Sequence, residues 1–443
     1  MTATAYDLLR STLADRVKEL DLDRDADEDR IADLVENELR AFQARANVGL
    51  HELPPLADPT LMYERLVGSL LGHGLLDRLL ADPDIEEIFI DGGDVYHLGA
   101  DGRLRSVDEV VSEAELFTLV NRLLQDTGRE LNQRTPMVQA RVLGGTARLG
   151  VVAPPIADSL SVTLRKYRVR HETLEQLVEL ESMTPSVATL VRAAMRSGLG
   201  VLVCGRPGAG KTTMLNACLR AVPLAHRVLC CEEIRELSAP LGHGAYYQTR
   251  PPSTDDGAAE VTLRDIVKMC LGMRPDLLVV GEVRGAEAFE LLRAGNAGCG
   301  VLATVHANSA PEALVALADT AIMAGQNVPA PNVRSTLSQI FDLVVFVDRD
   351  ESVQGGPIRR CVMQVATANP VSTESADFDV VPVLERSAIG EPLTLTSDAA
   401  RAKPPLRLER ALADLGTSWG TILDDHRSSQ PVATVSPMTG VAR

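Results

Sequence analysis

Residues 201–213 constrain the fold of this chain more than any other stretch. They read VLVCG and then RPGAGKTT, a short apolar strand followed by the pattern G-x-x-x-x-G-K-[ST]. Glycines in such a loop let successive backbone N–H groups turn toward phosphate oxygens, and a helix that begins directly after it points its positive end at the same place. The next segment, TMLNACLRAV, is compatible with a helix. This order of strand, loop and helix indicates a nucleoside triphosphate site.

Each part of the loop has an expected role. Lys211 is expected to reach the β- and γ-phosphate oxygens, and the hydroxyl of Thr212 is the expected protein ligand of Mg²⁺. The predicted nucleotide-binding residues are Gly205, Arg206, Pro207, Gly208, Ala209, Gly210, Lys211, Thr212 and Thr213.

Acidic and histidine side chains follow three further apolar runs. The run DLLVVGE ends in Glu282, and a carboxylate at the carboxyl end of a strand lies where ligands bind in α/β sheets, so Glu282 is expected to polarise the attacking water. Glu232, Glu233 and Glu236 follow RVLCC and suit Mg²⁺ or water coordination. His306 follows VLATV and is a candidate sensor of the γ-phosphate.

Arginines provide candidate groups for neutralising charge on the phosphates. The candidates in the region of the phosphate-binding loop are Arg250, Arg264, Arg274 and Arg284. Those on predicted strands nearer the N-terminus are Arg141, Arg148 and Arg165.

The composition excludes several functions. A net charge of −17 and an aromatic content of 3% argue against direct binding of nucleic acid. No apolar run approaches the length of a membrane span, and the N-terminus lacks the core of a signal peptide, so we expect a cytoplasmic protein that meets a membrane only through partners. The seven cysteines lack the spacing of a disulfide framework, and no zinc is expected.

Periodicity along the chain predicts an α/β protein in four parts. We expect an N-terminal helical region (1–80), a smaller α/β N-terminal domain (81–170), a P-loop domain (171–385) in which strands and helices alternate, and a variable, disordered tail (386–443) rich in Pro, Ser, Thr and Ala. A short helix within residues 406–423 is an alternative for part of that tail.

Taken in order, these motifs resemble the secretion-ATPase superfamily of type II and type IV secretion and type IV pili. The segments that carry the resemblance are GRPGAGKTT, CCEEIREL, TRPP, EVTLRDIVKMCLGMRPD, LLVVGEVRG and ATVHANS. The likeness extends upstream through LLDRLLADPDIEEIFIDG, PMVQARVLGG, ARLGVVAPP and SVTLRKY, which resemble the CpaF-like branch of the tight-adherence (Tad) pilus systems. It covers roughly residues 75–369.

The resemblance implies that residues 171–385 form a RecA-like P-loop motor domain. It also implies a homo-hexameric ring that binds ATP and Mg²⁺ between the two domains of each subunit and works on an inner-membrane platform protein. In that family, residues 232–236 correspond to the acidic Asp box, Glu282 to the Walker B glutamate and residues 299–306 to the His box. Arg250, Arg264 and Arg274 match family arginines near Walker B, and Arg165 matches the arginine of an S-I-R-K type strand. On these matches we assign Arg250, Arg264 and Arg165 to catalysis.

The chain departs from the family pattern at two places. Cys299 stands where the His box usually begins with histidine, which questions a role for two histidines, and Gly144–Gly145 replaces an Asp-Gly turn. Two other functions stay open from the sequence: the ATPase of a conjugal DNA-transfer apparatus, and a regulatory NTP-binding switch that is not a motor.

Overall fold

The protein divides into two compact units, residues 1–168 and residues 169–443. The structure is a computed structural model that describes residues 4–23, 26–47, 56, 58–167, 173–252, 259–324, 327–350 and 358–427. The predicted boundary at residue 80 falls inside the first unit, so the N-terminal helices and the strands that follow belong to one compact unit.

Five helices and six strands make up the described part of unit 1. The helices are α1 (Ala5–Glu19), α2 (Glu28–Asn47), α3 (Pro59–Leu71), α4 (Leu75–Ala81) and α5 (Glu113–Leu124). The strands are β1 (Ile85–Asp91), β2 (Asp94–Gly99), β3 (Leu104–Val110), β4 (Met137–Val142), β5 (Ala147–Val152) and β6 (Ser161–Lys166). The strands form an antiparallel sheet in the order β3-β2-β1-β6-β5-β4, two meanders joined through β1 and β6.

Helices α1 to α3 pack around their own apolar core and also contact the rest of unit 1. Leu9, Leu13 and Ile31 are fully buried in that core. The hydroxyl of Tyr6 on α1 donates to the buried carboxylate of Glu115 on α5. Because a buried carboxylate needs a donor, this hydrogen bond ties the first helix to the sheet-covering helix.

Unit 2 contains nine helices and nine strands in its described residues. The helices are α6 (Leu174–Glu179), α7 (Pro185–Arg196), α8 (Lys211–Arg220), α9 (Leu263–Leu271), α10 (Glu287–Asn296), α11 (Ala310–Met323), α12 (Ala330–Ile340), α13 (Leu406–Asp414) and α14 (Trp419–Arg427). The strands are β7 (Val201–Cys204), β8 (Arg227–Glu232), β9 (His243–Gln248), β10 (Leu277–Val280), β11 (Gly300–Val305), β12 (Leu343–Arg349), β13 (Arg360–Asn369), β14 (Asp379–Glu385) and β15 (Thr394–Leu395).

These strands form one sheet in the order β15-β14-β13-β12-β7-β11-β10-β8-β9. The strands from β12 to β9 in that order run parallel, and β13 to β15 extend the sheet with antiparallel pairs. On β7, Val201 and Val203 face one apolar core while Leu202 and Cys204 face the other. A strand buried on both faces reads as a continuous apolar run, which explains the sequence VLVC. The fold is therefore a RecA-like P-loop domain preceded by a smaller α/β domain with N-terminal helices, as predicted.

The expectation of a disordered tail from residue 386 is wrong for residues 386–427. Helices α13 and α14 pack on the same core as α7, and Leu408, Leu412 and Ile422 are at most 2% exposed. Replacing a fully buried leucine by alanine costs about 2–5 kcal/mol, so these helices stabilise the unit. The prolines that precede α13, at positions 392, 404 and 405, made the composition of this stretch resemble a disordered tail. Residues 428–443 lie outside the described part of the chain.

Several elements were not foreseen, among them β9, α12 and the strands β14 and β15 beyond β13. Strand β9 pairs parallel with β8, and α12 packs against the core that contains α10 and α11. Half of the polar, proline-containing stretch TRPPSTDDGAAE (249–260), its residues 253–258, lies outside the described residues. Among the helices that the structure describes, none combines the length and the apolarity needed to cross a membrane.

Candidate functional site

The loop of residues 205–212, here called the P-loop, joins β7 to α8. Gly208 and Gly210 have φ values of 74° and 97°, a region that favours glycine. Gly210 is the residue before α8, so the loop turns directly into the helix that starts at Lys211. A Cβ atom on Gly205 would overlap the carbonyl oxygen of Val347 on β12. The three glycines are thus required by the backbone and by the neighbouring strand.

Lys211 is buried, 8% exposed, and its ammonium group points along the inside of the loop. Its Nζ lies 2.9 Å from the carbonyl oxygen of Gly205 and 3.1 Å from that of Arg206. It also lies 3.1 Å from Nδ1 of His306, which follows β11. The structure therefore brings the loop lysine and the predicted histidine together.

His306 connects Lys211 to Glu282. An ammonium group only donates, so Nδ1 of His306 accepts from Lys211, and the proton of the neutral ring is then on Nε2, which lies against Oε1 of Glu282. Nδ1 of His306 also lies 3.3 Å from the carbonyl oxygen of Gly205. A hydrogen bond between these two atoms would need the ring proton on Nδ1, which is the other tautomer. We favour the first assignment because Lys211 already donates to that carbonyl at 2.9 Å.

Glu282 lies two residues beyond β10 and is shared between His306 and Arg284. Nη2 of Arg284 donates to the Glu282 carboxylate, and its Nη1 lies 3.9 Å from Glu233. The side chain of Glu282 is 26% exposed while its Oε1 is buried, so water reaches the carboxylate on the side of Oε2. A carboxylate held by a histidine and an arginine beside the P-loop is placed to orient a water molecule.

Glu232 is buried at the end of β8 and serves the turn that follows it. Its carboxylate accepts hydrogen bonds from the backbone N–H of Glu236 at 3.0 Å and of Leu237 at 3.2 Å. A Cβ atom on Gly281 would lie 2.7 Å from Cγ of Glu232, so the glycine before Glu282 leaves room for this side chain. Burial raises the pKa of Glu232 from 4.5 to about 7. Glu232 thus shapes the turn that carries Glu236.

Glu236 and Thr212 are the residues that fit Mg²⁺. Their side-chain oxygens lie 3.3 Å apart at the start of α8. Hard oxygen donors suit Mg²⁺, which usually takes one or two protein ligands and completes its shell with phosphate oxygens and water. Among the described residues no group of three His, Cys, Asp or Glu side chains converges to hold a metal by itself. The donor set therefore fits Mg²⁺ bound together with nucleotide phosphates.

We expect Glu232→Gln to raise the stability of the protein at pH 8 and to lose this advantage in acid. The folded-state pKa of about 7 lies above the ordinary 4.5, so the cost of ionising the buried carboxylate is absent below 4.5, grows between 4.5 and 7 and is complete above 7. A pKa shift of that size lowers the free energy of unfolding by at most roughly 3 kcal/mol. Thermal unfolding from pH 5 to pH 8 measures the difference. Glu233→Gln, whose side chain is 55% exposed, is the control, and an equal gain at every pH would contradict the explanation.

Arg264 and Arg250 contact other groups of the protein, a carboxylate and a backbone carbonyl oxygen. Nε of Arg264 lies 3.0 Å from Glu290 on α10, a carboxylate that is 2% exposed and also pairs with Arg293. The guanidinium of Arg250 donates to the carbonyl oxygen of Ala259 at 3.0 Å. Hydrogen bonds of this kind hold α9 to α10 and close the segment before α9, so the phosphate-contacting role that we predicted for both arginines stays a prediction.

Arg165 belongs to unit 1, where it is one of a row of arginines. It stands opposite Glu87 on β1 and opposite Arg148 on β5, and Arg148 stands opposite Arg141 on β4. Nε of Arg165 lies 3.5 Å from the carboxylate of Glu87. Residues opposite each other in a sheet share a face, so the three arginines form a positive strip on one face. Like charges in this arrangement repel each other.

Cys299, which stands where the family pattern has histidine, lies apart from His306. Cys299 precedes β11 and His306 follows it, so the two residues lie at opposite ends of a fully buried strand. The thiol of Cys299 donates to the carbonyl oxygen of Ala294 at 3.4 Å. It contributes to helix packing and has no part in the cluster around Lys211. All seven cysteines, each within the described residues, are free thiols.

Reasoning from the sequence missed Arg349 and Arg360. Nε of Arg360 donates to the carbonyl oxygen of Gly208 at 2.9 Å, and a Cβ atom on Gly208 would overlap the guanidinium of Arg349. Arg206, predicted to bind nucleotide, turns its Nε to Asp348 at 2.9 Å. These contacts join residues about 140–150 positions apart in the sequence, and no motif signals them.

Comparison with known proteins places the chain in a family. The family model described as "Type II/IV secretion system protein" matches residues 89–380, more than half of the 443 residues. A putative conjugal transfer protein of Mycobacterium tuberculosis is 34% identical over 292 residues, 64% of this chain and 82% of the relative. The type IV secretion system protein PtlH of Bordetella pertussis is 27% identical over 296 residues, 61% of this chain and 87% of PtlH.

Among solved structures, the ATPase DotB of Legionella pneumophila has a TM-score of 0.49 at 19% identity, with 67% of this chain and 81% of DotB covered. The family model spans β1 of the first unit to β14 of the second and includes the P-loop, Glu282 and His306. From that match, we conclude that this chain belongs to the family of type II/IV secretion system proteins.

Proposed function

We propose that this chain is an ATP-hydrolysing motor of a type II/IV secretion or pilus-assembly apparatus. The observation that carries the proposal is the chain of contacts from Lys211 through His306 to Glu282, which links the phosphate-binding loop to a water-accessible carboxylate. A phosphate oxygen that reaches Lys211 would compete with His306 for the same ammonium group. Nucleotide binding would in this way alter the contact between His306 and Glu282.

The residues act in complementary ways during hydrolysis. Backbone N–H groups of the P-loop and the ammonium of Lys211 bind and orient the phosphates. Thr212 and Glu236 would hold Mg²⁺, which neutralises charge on the phosphate oxygens when it is bound. Glu282 accepts the proton of the attacking water, and Arg284 holds that carboxylate in place. His306 is positioned to respond to loss of the γ-phosphate because it touches both partners.

The finer assignment follows the sequence resemblance. We propose a homo-hexameric ring in the cytoplasm that associates with the inner face of the membrane through a platform protein and powers assembly of a Tad-type pilus. The parts that we propose within the chain are 1–80, 81–170, 171–385 and 386–443, the last of which contains α13 and α14. Arg165, Arg250 and Arg264 remain candidates for contacts with phosphates across domain or subunit boundaries.

A second function has support of its own. A relative that shares 34% identity bears the description of a putative conjugal transfer protein. An ATPase of a conjugal DNA-transfer apparatus would use the same chemistry. The net charge of −17 disfavours direct contact with DNA, so such a motor would act on a channel rather than on the nucleic acid itself.

Capture of partners in cells distinguishes these functions. We expect Glu282→Gln to accumulate in its ATP-bound form, so cross-linking followed by mass spectrometry should recover its partners. Recovery of a polytopic inner-membrane protein with pilin-like subunits would support the pilus motor. Recovery of a relaxase or DNA-coupling protein would support conjugal transfer. A monomer that hydrolyses no ATP and co-purifies with neither set would contradict both.

A further inference from the structure

Two arginines of one β-hairpin lie against the outer side of the P-loop. Arg349 ends β12 and Arg360 begins β13, and the two stand directly opposite each other in the antiparallel pairing. Both residues are half-buried. Residues directly opposite in such a pair share a face of the sheet. The hairpin therefore places two arginine side chains on one face, beside the P-loop.

Both arginines contact the loop at its glycines. Nε of Arg360 donates to the carbonyl oxygen of Gly208 at 2.9 Å, and its Cδ lies 3.6 Å from the position of a Cβ atom on Gly210. The guanidinium of Arg349 occupies the space that a side chain on Gly208 would need. Arg206 returns a hydrogen bond of 3.3 Å to the carbonyl oxygen of Arg349. Hairpin and P-loop thus form one contact surface.

The hydrogen bond from Arg360 also determines how the loop backbone points. In a planar trans peptide the C=O and N–H groups point in opposite directions. Because Arg360 holds the carbonyl of Gly208 outward, the N–H of Ala209 is directed toward the inside of the loop. There it donates to the carbonyl oxygen of Arg206 at 3.2 Å, the same oxygen that Lys211 contacts. That inner side is where phosphate oxygens bind.

Sheet order separates the two ends of a bound nucleotide. Glu282, His306 and Glu232 follow β10, β11 and β8, which all lie on one side of β7. The hairpin of β12 and β13 lies on the other side of β7. A nucleotide with its γ-phosphate beside Lys211 and Glu282 must direct its base and ribose away from that cluster. The hairpin of β12 and β13 lies on the side of β7 toward which the base and ribose are then directed.

We propose that Arg349 and Arg360 form the wall on which the nucleoside of the bound nucleotide lies. This inference rests on the proposed function as an ATPase. The planar guanidinium group stacks on aromatic rings, and a contact of this kind changes affinity by roughly 2- to 30-fold. Arg349 presents its plane to the base, and Arg360 both contacts the nucleoside and fixes the loop through Gly208. Arg360 is in that second respect a positioning residue.

Binding of ATP compared with binding of inorganic triphosphate tests the proposal, since the second ligand has the phosphates but no nucleoside. Arg360→Lys keeps the charge and a donor for the Gly208 carbonyl but removes the planar group, and Arg349→Ala removes the second plane. We expect each variant to bind ATP roughly 5- to 30-fold more weakly and triphosphate within about 2-fold of the wild type. Calorimetric titration with Mg²⁺ present measures both affinities.

The matched control is Arg359→Ala, because Arg359 precedes Arg360 on the hairpin but pairs with Glu181 at 3.2 Å. Its affinity for both ligands should equal that of the wild type. If Arg349→Ala lowers the unfolding temperature, Arg349→Lys replaces it. Equal weakening of both ligands, or unchanged affinity for ATP, would overturn the nucleoside wall. Failure of the wild type to bind either ligand would instead refute the proposed function, and this inference with it.

Discussion

Lys211→Ala is expected to lower the affinity for ATP by roughly 100-fold or more. The ammonium group is buried, 8% exposed, and the loop directs it toward the phosphate position. A charge-assisted hydrogen bond contributes about 1.5–3 kcal/mol, and loss of two such bonds to phosphate oxygens corresponds to a factor of at least 100. Titration calorimetry or a fluorescent ATP analogue measures the change.

Lys268→Ala is the control for this substitution, since Lys268 is exposed on α9 and carries the same charge. Lys211 also donates to two backbone carbonyls, so the unfolding temperature of the variant should be measured in parallel. A variant that folds normally and binds ATP with wild-type affinity would remove Lys211 from the site.

Glu282→Gln is expected to bind ATP within a few-fold of the wild type but to hydrolyse it roughly 100- to 1,000-fold more slowly. Glutamine preserves the shape of the side chain and an oxygen that can accept from Nε2 of His306. It cannot take a proton from water, and loss of a general base typically costs factors of this size. Steady-state phosphate release, compared with ATP binding under the same conditions, separates the two effects.

Glu312→Gln removes one negative charge from an exposed position in the first turn of α11, near the loop that carries His306. It should leave turnover unchanged and so controls for charge alone. Equal turnover in wild type and Glu282→Gln would mean that another group activates the water. Loss of ATP binding in Glu282→Gln would mean that the carboxylate supports binding rather than chemistry.

Local patterns predicted the parts of the site that lie on consecutive residues. The P-loop, the strand ahead of it and the helix after it are specified within 20 residues, because glycine conformations and strand burial are local properties. The ends of β8, β10 and β11 were also predicted, and the parallel order of these strands brings Glu282 and His306 to Lys211.

Long-range pairing escaped prediction. The opposition of Arg349 and Arg360, and their contact with Gly208, depend on a hairpin whose register no local pattern reveals. Arg264 shows what a local pattern leaves out: its place near a family motif predicts a phosphate contact, which stays a prediction, but gives no sign of its ion pair with buried Glu290. Whether an arginine serves a ligand or a neighbouring helix is decided by tertiary packing.

The last described helix, α14, contacts the first turn of α7. Asp425 accepts a hydrogen bond of 2.7 Å from Ser186, and the ring of His426 lies 3.1 Å from the hydroxyl of Thr184, both at the start of α7. These two contacts join residues 239 and 242 positions apart in the sequence, and Ile422 of the same helix is buried in the core that α7 shares. Removal of α14 would therefore leave the first turn of α7 without two side-chain partners and expose part of that core to water.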